Sequence, residues 1–191
     1  MYLRAINFLV QPDKDGRYMP EKAAGVAYKI MVECKRRYFF VYMPENSSFF
    51  VGGKREWGFV QGDTIQRDKT CLDQLVSNKS GPLYPVGIHL LLSYEEAHDF
   101  VITEWDRLVF RPGGPGEDGL AKTLRYISRD SGEGLGDLSL CIWRVRWLGK
   151  LAEGIYSWAS DYVLPDYRVL VVDRITLDEI VERENLPLRQ V

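Results

Sequence analysis

Apolar and polar residues alternate most regularly between Val26 and Lys35. Val26, Tyr28, Ile30, Val32 and Cys34 fall on one side, and Ala27, Lys29, Met31, Glu33 and Lys35 on the other. A period of two is the signature of a β-strand. Tyr2 to Val10 reads as an earlier strand, separated from it by a polar loop with Pro12, Gly16 and Pro20. Tyr38 to Met43 is rich in β-formers and follows a basic turn. Ser48 to Val51 and Trp57 to Val60 flank Gly52-Gly53-Lys54-Arg55, a hairpin-turn composition. Short strands in succession predict an antiparallel meander over the first third of the chain.

Helical spacing takes over further on. Thr70 is placed to cap a short helix through Leu75, ended by Gly81-Pro82. Ser93 with Glu96 spells a capping box, in which hydroxyl and carboxylate satisfy free backbone N–H groups. Ala97, Val101, Trp105 and Leu108 then form an apolar stripe opposite Glu95, Asp99, Thr103 and Asp106. Asp118 precedes a short helical pattern carrying Leu120, Leu124 and Ile127. Leu138 to Leu148 alternates as a strand. Leu151, Ile155, Trp158 and Tyr162 have helical spacing, Val169 to Val172 reads as a buried strand, and Thr176 with Glu179 caps a last helix stopping near Pro187. The expected fold class is α+β: an N-terminal antiparallel β-meander followed by mixed helices and strands. One domain is expected over residues 1–191, with 111–119 and 131–137 as the Gly-rich points of subdivision.

Composition narrows the function classes. The formal net charge is −2, which disfavours a generally basic nucleic-acid binder. Residues 1–69 carry 12 Lys/Arg against 8 Asp/Glu, and residues 70–191 carry 13 against 19, so the cationic excess lies at the front. Attraction of phosphate to so small an excess is modest and salt-sensitive. Two histidines, His89 and His98, are too few for a histidine-rich metal centre. Cys34, Cys71 and Cys141 are widely spaced, without zinc or redox spacing, and read as free thiols in a cytoplasmic setting. Ala5 to Val10 carries no signal-peptide cleavage pattern, and the apolar run Val86 to Leu92 is too short to span a bilayer, so no membrane partner is expected.

One residue set can be drawn as a catalytic centre. Pro12-Asp13 is followed by Glu33-Cys34-Lys35. Asp13 and Glu33 would share a divalent cation, because hard cations take carboxylate oxygens, and Lys35 would orient the attacking water. In order and wording the stretch Pro12 to Arg37 resembles the PD-(D/E)xK nuclease family. That resemblance implies a Mg-dependent nuclease with Asp13, Glu33 and Lys35 as catalytic residues and Asp13 and Glu33 on the metal. The family sets a helix before the Asp-bearing strand, whereas here a strand precedes it. The alternative is a polar strand face with Glu33 paired across the sheet to a cation.

A second set is a binding surface. Lys35-Arg36-Arg37 precedes Tyr38-Phe39-Phe40, Lys54-Arg55 precedes Trp57, and Arg144 and Arg146 stand beside Trp143 and Trp147. Cations neutralise phosphates and exposed aromatics stack on unpaired bases, while charged hairpin turns also serve simply to discourage edge pairing. Gly114 and Gly119 have P-loop spacing, but Leu120 stands where the lysine belongs. Outside the nuclease alternative no cofactor is expected. The leading expectation is a non-catalytic accessory or regulatory protein engaging a protein partner through Arg36, Arg37, Tyr38, Lys54, Arg55 and Trp57. Weak binding of single-stranded nucleic acid and the nuclease stand as alternatives.

Overall fold

A computed structural model describes residues 3–41, 49–51, 54–55, 58–76, 81–109, 138–156 and 166–185. It is mostly β-sheet, with one α-helix among the described residues. The strands are β1 (Ala5–Leu9), β2 (Glu21–Cys34), β3 (Arg37–Phe40), β4 (Phe49–Val51), β5 (Lys54–Arg55), β6 (Thr64–Arg67), β7 (Leu75–Val76), β8 (Tyr84–Pro85), β9 (Ile88–Leu91), β10 (Ser139–Tyr156) and β11 (Tyr167–Asn185); the helix is α1 (Tyr94–Val109). All but β7 and β8 belong to one nine-stranded antiparallel sheet.

The α+β expectation is therefore corrected, and the correction comes from two segments. Leu151 and Ile155 continue β10, and Thr176 to Glu179 lies inside β11. Both segments carry helix-favouring residues, but pairing along the whole β10–β11 ribbon, Ser139↔Asn185 to Tyr156↔Tyr167, satisfies their backbone groups. The acidic residues of the supposed helix face cations across the ribbon: Glu179 Oε1 accepts from Arg144 Nη1 at 2.8 Å, and Asp178 Oδ1 from Arg146 Nε at 2.8 Å. Thr70 does not cap a helix through Leu75. Asp68 caps a 3₁₀ turn, Lys69–Cys71, and Leu75 starts β7. The helical pattern after Asp118 and the residues Trp158 and Tyr162 lie outside the described residues.

The meander is corrected too. β1 pairs with β10, not β2, while β2–β3 and β4–β5 are hairpins. Lys54-Arg55, expected in a turn, forms β5. The capping box stands as expected: Ser93 Oγ accepts from Glu96 N–H and Glu96 Oε2 accepts from Ser93 N–H, both at 3.2 Å.

Sequential pairing β2–β10–β11–β9 returns to β2 through Tyr28↔Leu91, so the central sheet closes on itself. Register shifts at Ile142/Trp143, Arg144/Val145 and Lys150/Ala152 supply the bending that closure needs. Arg168 and Glu182 measure the result. They stand fourteen positions apart on β11, roughly 46 Å along a straight strand. Yet Arg168 Nε donates to Glu96 and Glu182 accepts from Tyr94 and His98, all in the first turns of α1. A helix of five residues spans only about 7.5 Å, so β11 must coil until its two ends meet on α1.

Closure leaves two apolar cores. Ile30, Val32, Leu140 and Ile142 pack with Ala97, Phe100 and Val101 beneath α1. Ala27, Met31, Cys141, Trp143, Val145 and Leu170 fill the other, with Tyr38, Phe40 and Phe59. β10 is buried on both faces from Leu140 to Trp143 and again at Leu151 and Ala152, which explains its apolar runs there, while Arg144 and Arg146 face solvent between them. No helix among the described residues is long and apolar enough to cross a membrane.

Candidate binding surface at the β2–β3 hairpin

β2 ends at Cys34, which pairs with Arg37, so the hairpin loop is the two residues Lys35 and Arg36. Their φ angles are 49° and 63°. A two-residue loop of type I′ demands this left-handed pair, because it matches the twist of the flanking strands. Lys35 thus lies in the turn rather than on the strand face with Glu33. Lys35, Arg36 and Arg37 are all exposed.

The next residues turn inward. Tyr38, Phe39 and Phe40 are buried. The Tyr38 ring meets Trp143 edge-on, with centroids 4.7 Å apart, and Phe40 packs on Phe59 at 5.1 Å. Tyr38 and Phe59 exchange both backbone hydrogen bonds at 2.9 Å, tying residues 58–59 beside β3. Arg55 lies three residues before Gly58, at most about 11 Å of chain. A second cationic strand thus ends near the first hairpin. The side chains of Lys54 and Arg55 and all of Trp57 fall outside the described residues.

Glu33 sits behind the tip in a closed polar cluster. Its Oε2 accepts from Arg183 Nε at 2.9 Å and from the Cys141 thiol at 3.3 Å, and its Oε1 accepts from Tyr38 Oη at 3.2 Å. Register explains the meeting: Cys141 pairs with Arg183 on one side and Met31 on the other, so the three strands bring these side chains to one end. Burial, and then the hydrogen bond and charge of Glu33, push the Cys141 thiol up to about 12. Such a thiol is not a nucleophile at neutral pH. Burial likewise raises Tyr38 above its ordinary value.

Asp13 has different company. Its Oδ1 accepts from the backbone N–H of Asp15 and of Arg17, both at 2.9 Å, which folds the β1–β2 loop on itself. That loop rejoins β10 where Glu21 pairs with Lys150, whereas Glu33 pairs with Ser139, eleven positions along the strand. The hydrogen bonds that Asp13 and Glu33 make among the described residues do not bring them together. No group of three or more metal-ligating side chains occurs among the described residues.

Other polar residues are committed to the fold. Buried Arg67 donates to Asp173 Oδ1 (3.1 Å), Val86 O (3.3 Å) and Tyr18 O (2.9 Å), clipping three segments together. His89 Nε2 shares a hydrogen bond with Tyr84 Oη at 3.0 Å, and burial holds it well below its ordinary value. Arg144 and Arg146 are exposed but paired with Glu179 and Asp178. All three cysteines are free and buried.

Two residues escaped the sequence reading. Arg183 was hidden in the supposed terminal helix. Lys29 was visible as a cation on the side of the β2 alternation that also carries Ala27 and Met31, both fully buried. Its Nζ donates to His89 O at 2.9 Å and lies 4.6 Å from the Phe40 ring centroid; burial pulls its pKa down to about 8. Comparison with protein-family models, curated proteins and solved structures finds no match to this chain.

Proposed function

We propose that the chain is a non-catalytic accessory or regulatory protein that docks on an acidic surface of a protein partner through the β2–β3 hairpin. Arg36 and Arg37 make the contacts, Lys35 adds charge, and Lys54-Arg55 extends the surface. The observation that carries this reading is the conformation of the tip. Two cationic residues occupy left-handed positions where glycine or asparagine is at ease, and their side chains are turned to solvent. Strained backbone of this kind concentrates at working sites.

The burial of Tyr38, Phe39, Phe40 and Trp143 supports a protein surface over unpaired bases. Those aromatics belong to the core and offer no stacking platform. Free buried thiols support a reducing compartment such as the cytoplasm.

The test begins with cross-linking in the native source to identify the partner, followed by calorimetry at low and high salt. A double charge reversal, Arg36→Glu with Arg37→Glu, should weaken the complex by about tenfold or more at low salt, with the circular dichroism unchanged. Equal affinity of the two proteins overturns the assignment. A single-stranded oligonucleotide run in the same assay decides the nucleic-acid alternative: retention lost in the double variant, with no protein partner found, would transfer the tip to that role.

A further inference from the structure

The bridge between Tyr38 and Phe59 sets a register beside β3. The two residues exchange N–H···O bonds in both directions at 2.9 Å. Counting outward from that antiparallel bridge, Phe39 stands opposite Gly58 and Arg37 opposite Val60. Residues two apart on a strand share a face, as do residues opposed across a pair, so these four project to one side. Close contacts agree. A Cβ built at Gly58 would lie 3.0 Å from the Phe39 ring and 3.2 Å from Arg37 Cδ. The Arg37 stem therefore lies in the notch that Gly58 leaves, against the buried Phe39 ring. Val60 holds the next position on that face and is 45% exposed. Its turn is fixed: Val60 N–H donates to Asp63 Oδ2 at 2.8 Å, and Asp63 N–H donates back to Val60 O at 3.1 Å. Gly62 N–H donates to Leu177 O at 2.8 Å and Leu177 N–H to Asp63 O at 3.1 Å, which binds the turn to β11. An exposed cation and an exposed aliphatic side chain thus take successive places on one strand face, about 7 Å apart.

We infer that the hairpin surface reads an extended segment of its partner in which a carboxylate and a branched aliphatic side chain stand two positions apart, the carboxylate on Arg37 and the aliphatic group on Val60. The guanidinium fork matches a carboxylate in charge and shape, and exposed Lys35 and Arg36 add to the positive field beside it. The apolar stem of Arg37 and the Val60 methyl groups offer the aliphatic side chain a bed. Residues two apart in an extended segment share a face and also stand about 7 Å apart, so the two spacings agree. Both contact points are held in place before the partner arrives, which lowers the ordering cost of binding. The inference rests on the proposed function and adds to it the kind of acidic segment that is taken.

Three blocked peptides of equal length are the probes: one with glutamate and valine two positions apart, one with the same two residues adjacent, and one with serine in place of the valine. Adjacent residues of an extended chain point to opposite faces, so the second peptide keeps the composition and loses the match. Titrations at low salt are followed by the Arg37 Nε–H and Val60 methyl resonances. The first peptide should bind at least about threefold more tightly than either of the others. Val60→Ser, an exchange at an exposed position, should remove that preference, and Arg36→Glu/Arg37→Glu should abolish saturable binding of all three. Equal affinities in the parent, or a preference that survives Val60→Ser, overturns the inference and leaves the docking of an acidic partner standing. Binding of all three that is unchanged by the double charge reversal overturns the proposed function and this inference with it. No saturable binding of any peptide also overturns the inference, and the complex with the native partner then tests the docking by itself.

Discussion

Arg183 Nε donates to Glu33 Oε2 at 2.9 Å, over a carboxylate whose side chain is 18% exposed while that of Arg183 is 55% exposed. The pair is therefore asymmetric. Glu33 is the acceptor on which Arg183, Tyr38 and Cys141 converge, so removing it orphans partly buried donors. Glu33→Ala should cost about 2 kcal/mol of stability. Arg183→Ala removes a solvated partner and should cost under about 1 kcal/mol. Urea titrations of the two variants check the ranking. A reversed order would mean that Glu33 is not the hub of the cluster.

The strained tip predicts opposed effects on stability and binding. Arg36 holds φ at 63°, and a side chain in that region costs about 1 kcal/mol relative to glycine. Arg36→Gly should therefore raise the unfolding free energy by about that amount. The same substitution removes an exposed cation and should weaken the partner complex. A variant that gains stability and keeps full affinity would take Arg36 out of the interface.

The sequence showed the parts of the fold that rest on neighbours along the chain. Ser93 and Glu96 cap α1 across three positions, and the alternation from Val26 to Cys34 reads directly as β2. Where the deciding partner is remote, local pattern misleads. Thr176 and Glu179 have capping-box spacing, but Glu179 is held by Arg144, thirty-five positions away. The candidate surface divides the same way. The cations of Lys35 to Arg37 are legible as an exposed turn, because a two-residue hairpin leaves its loop to solvent. Tyr38 is not legible, since nothing beside it announces that Trp143 from β10 will cover its ring. Lys29 shows what a closer reading of the alternation offers: a charge spaced two residues from Ala27 and from Met31 marks a cation in a core.

That cation links stability to pH. Burial lowers Lys29 to about 8 in the folded protein, from 10.5 unfolded. Between those values the unfolded chain binds the additional proton, so stability rises with pH across the window. Below about 8 the full penalty is present; above about 10.5 it is gone. Lys29→Met should be more stable than the parent at pH 7, by at most about 3 kcal/mol, since Lys29 retains some solvent. The difference should shrink between pH 8 and 10.5. Chemical denaturation at pH 7, 9 and 10 measures it, and a gap that stays constant would remove Lys29 as its source.

Gly154 tests the junction of β1 with the ribbon. It pairs with Ile6, and a Cβ built there would collide with the carbonyl oxygen of Ala5. The obstacle is backbone rather than a flexible side-chain end, so the strands must separate to admit a methyl group. Gly154→Ala should lose about 1–3 kcal/mol, and hydrogen-exchange protection should fall first at Arg4 N–H, which donates to Ile155 O at 2.7 Å. Gly149 offers the contrast, with φ at 78° and its would-be Cβ against the Pro20 ring and Asp173 side chain. Gly149→Ala combines left-handed strain with a side-chain clash, and its loss of protection should centre on the β2 end near Glu21, which pairs with Lys150. If both variants lost protection in the same places, β1 and β2 would not be separate attachments along one side of β10.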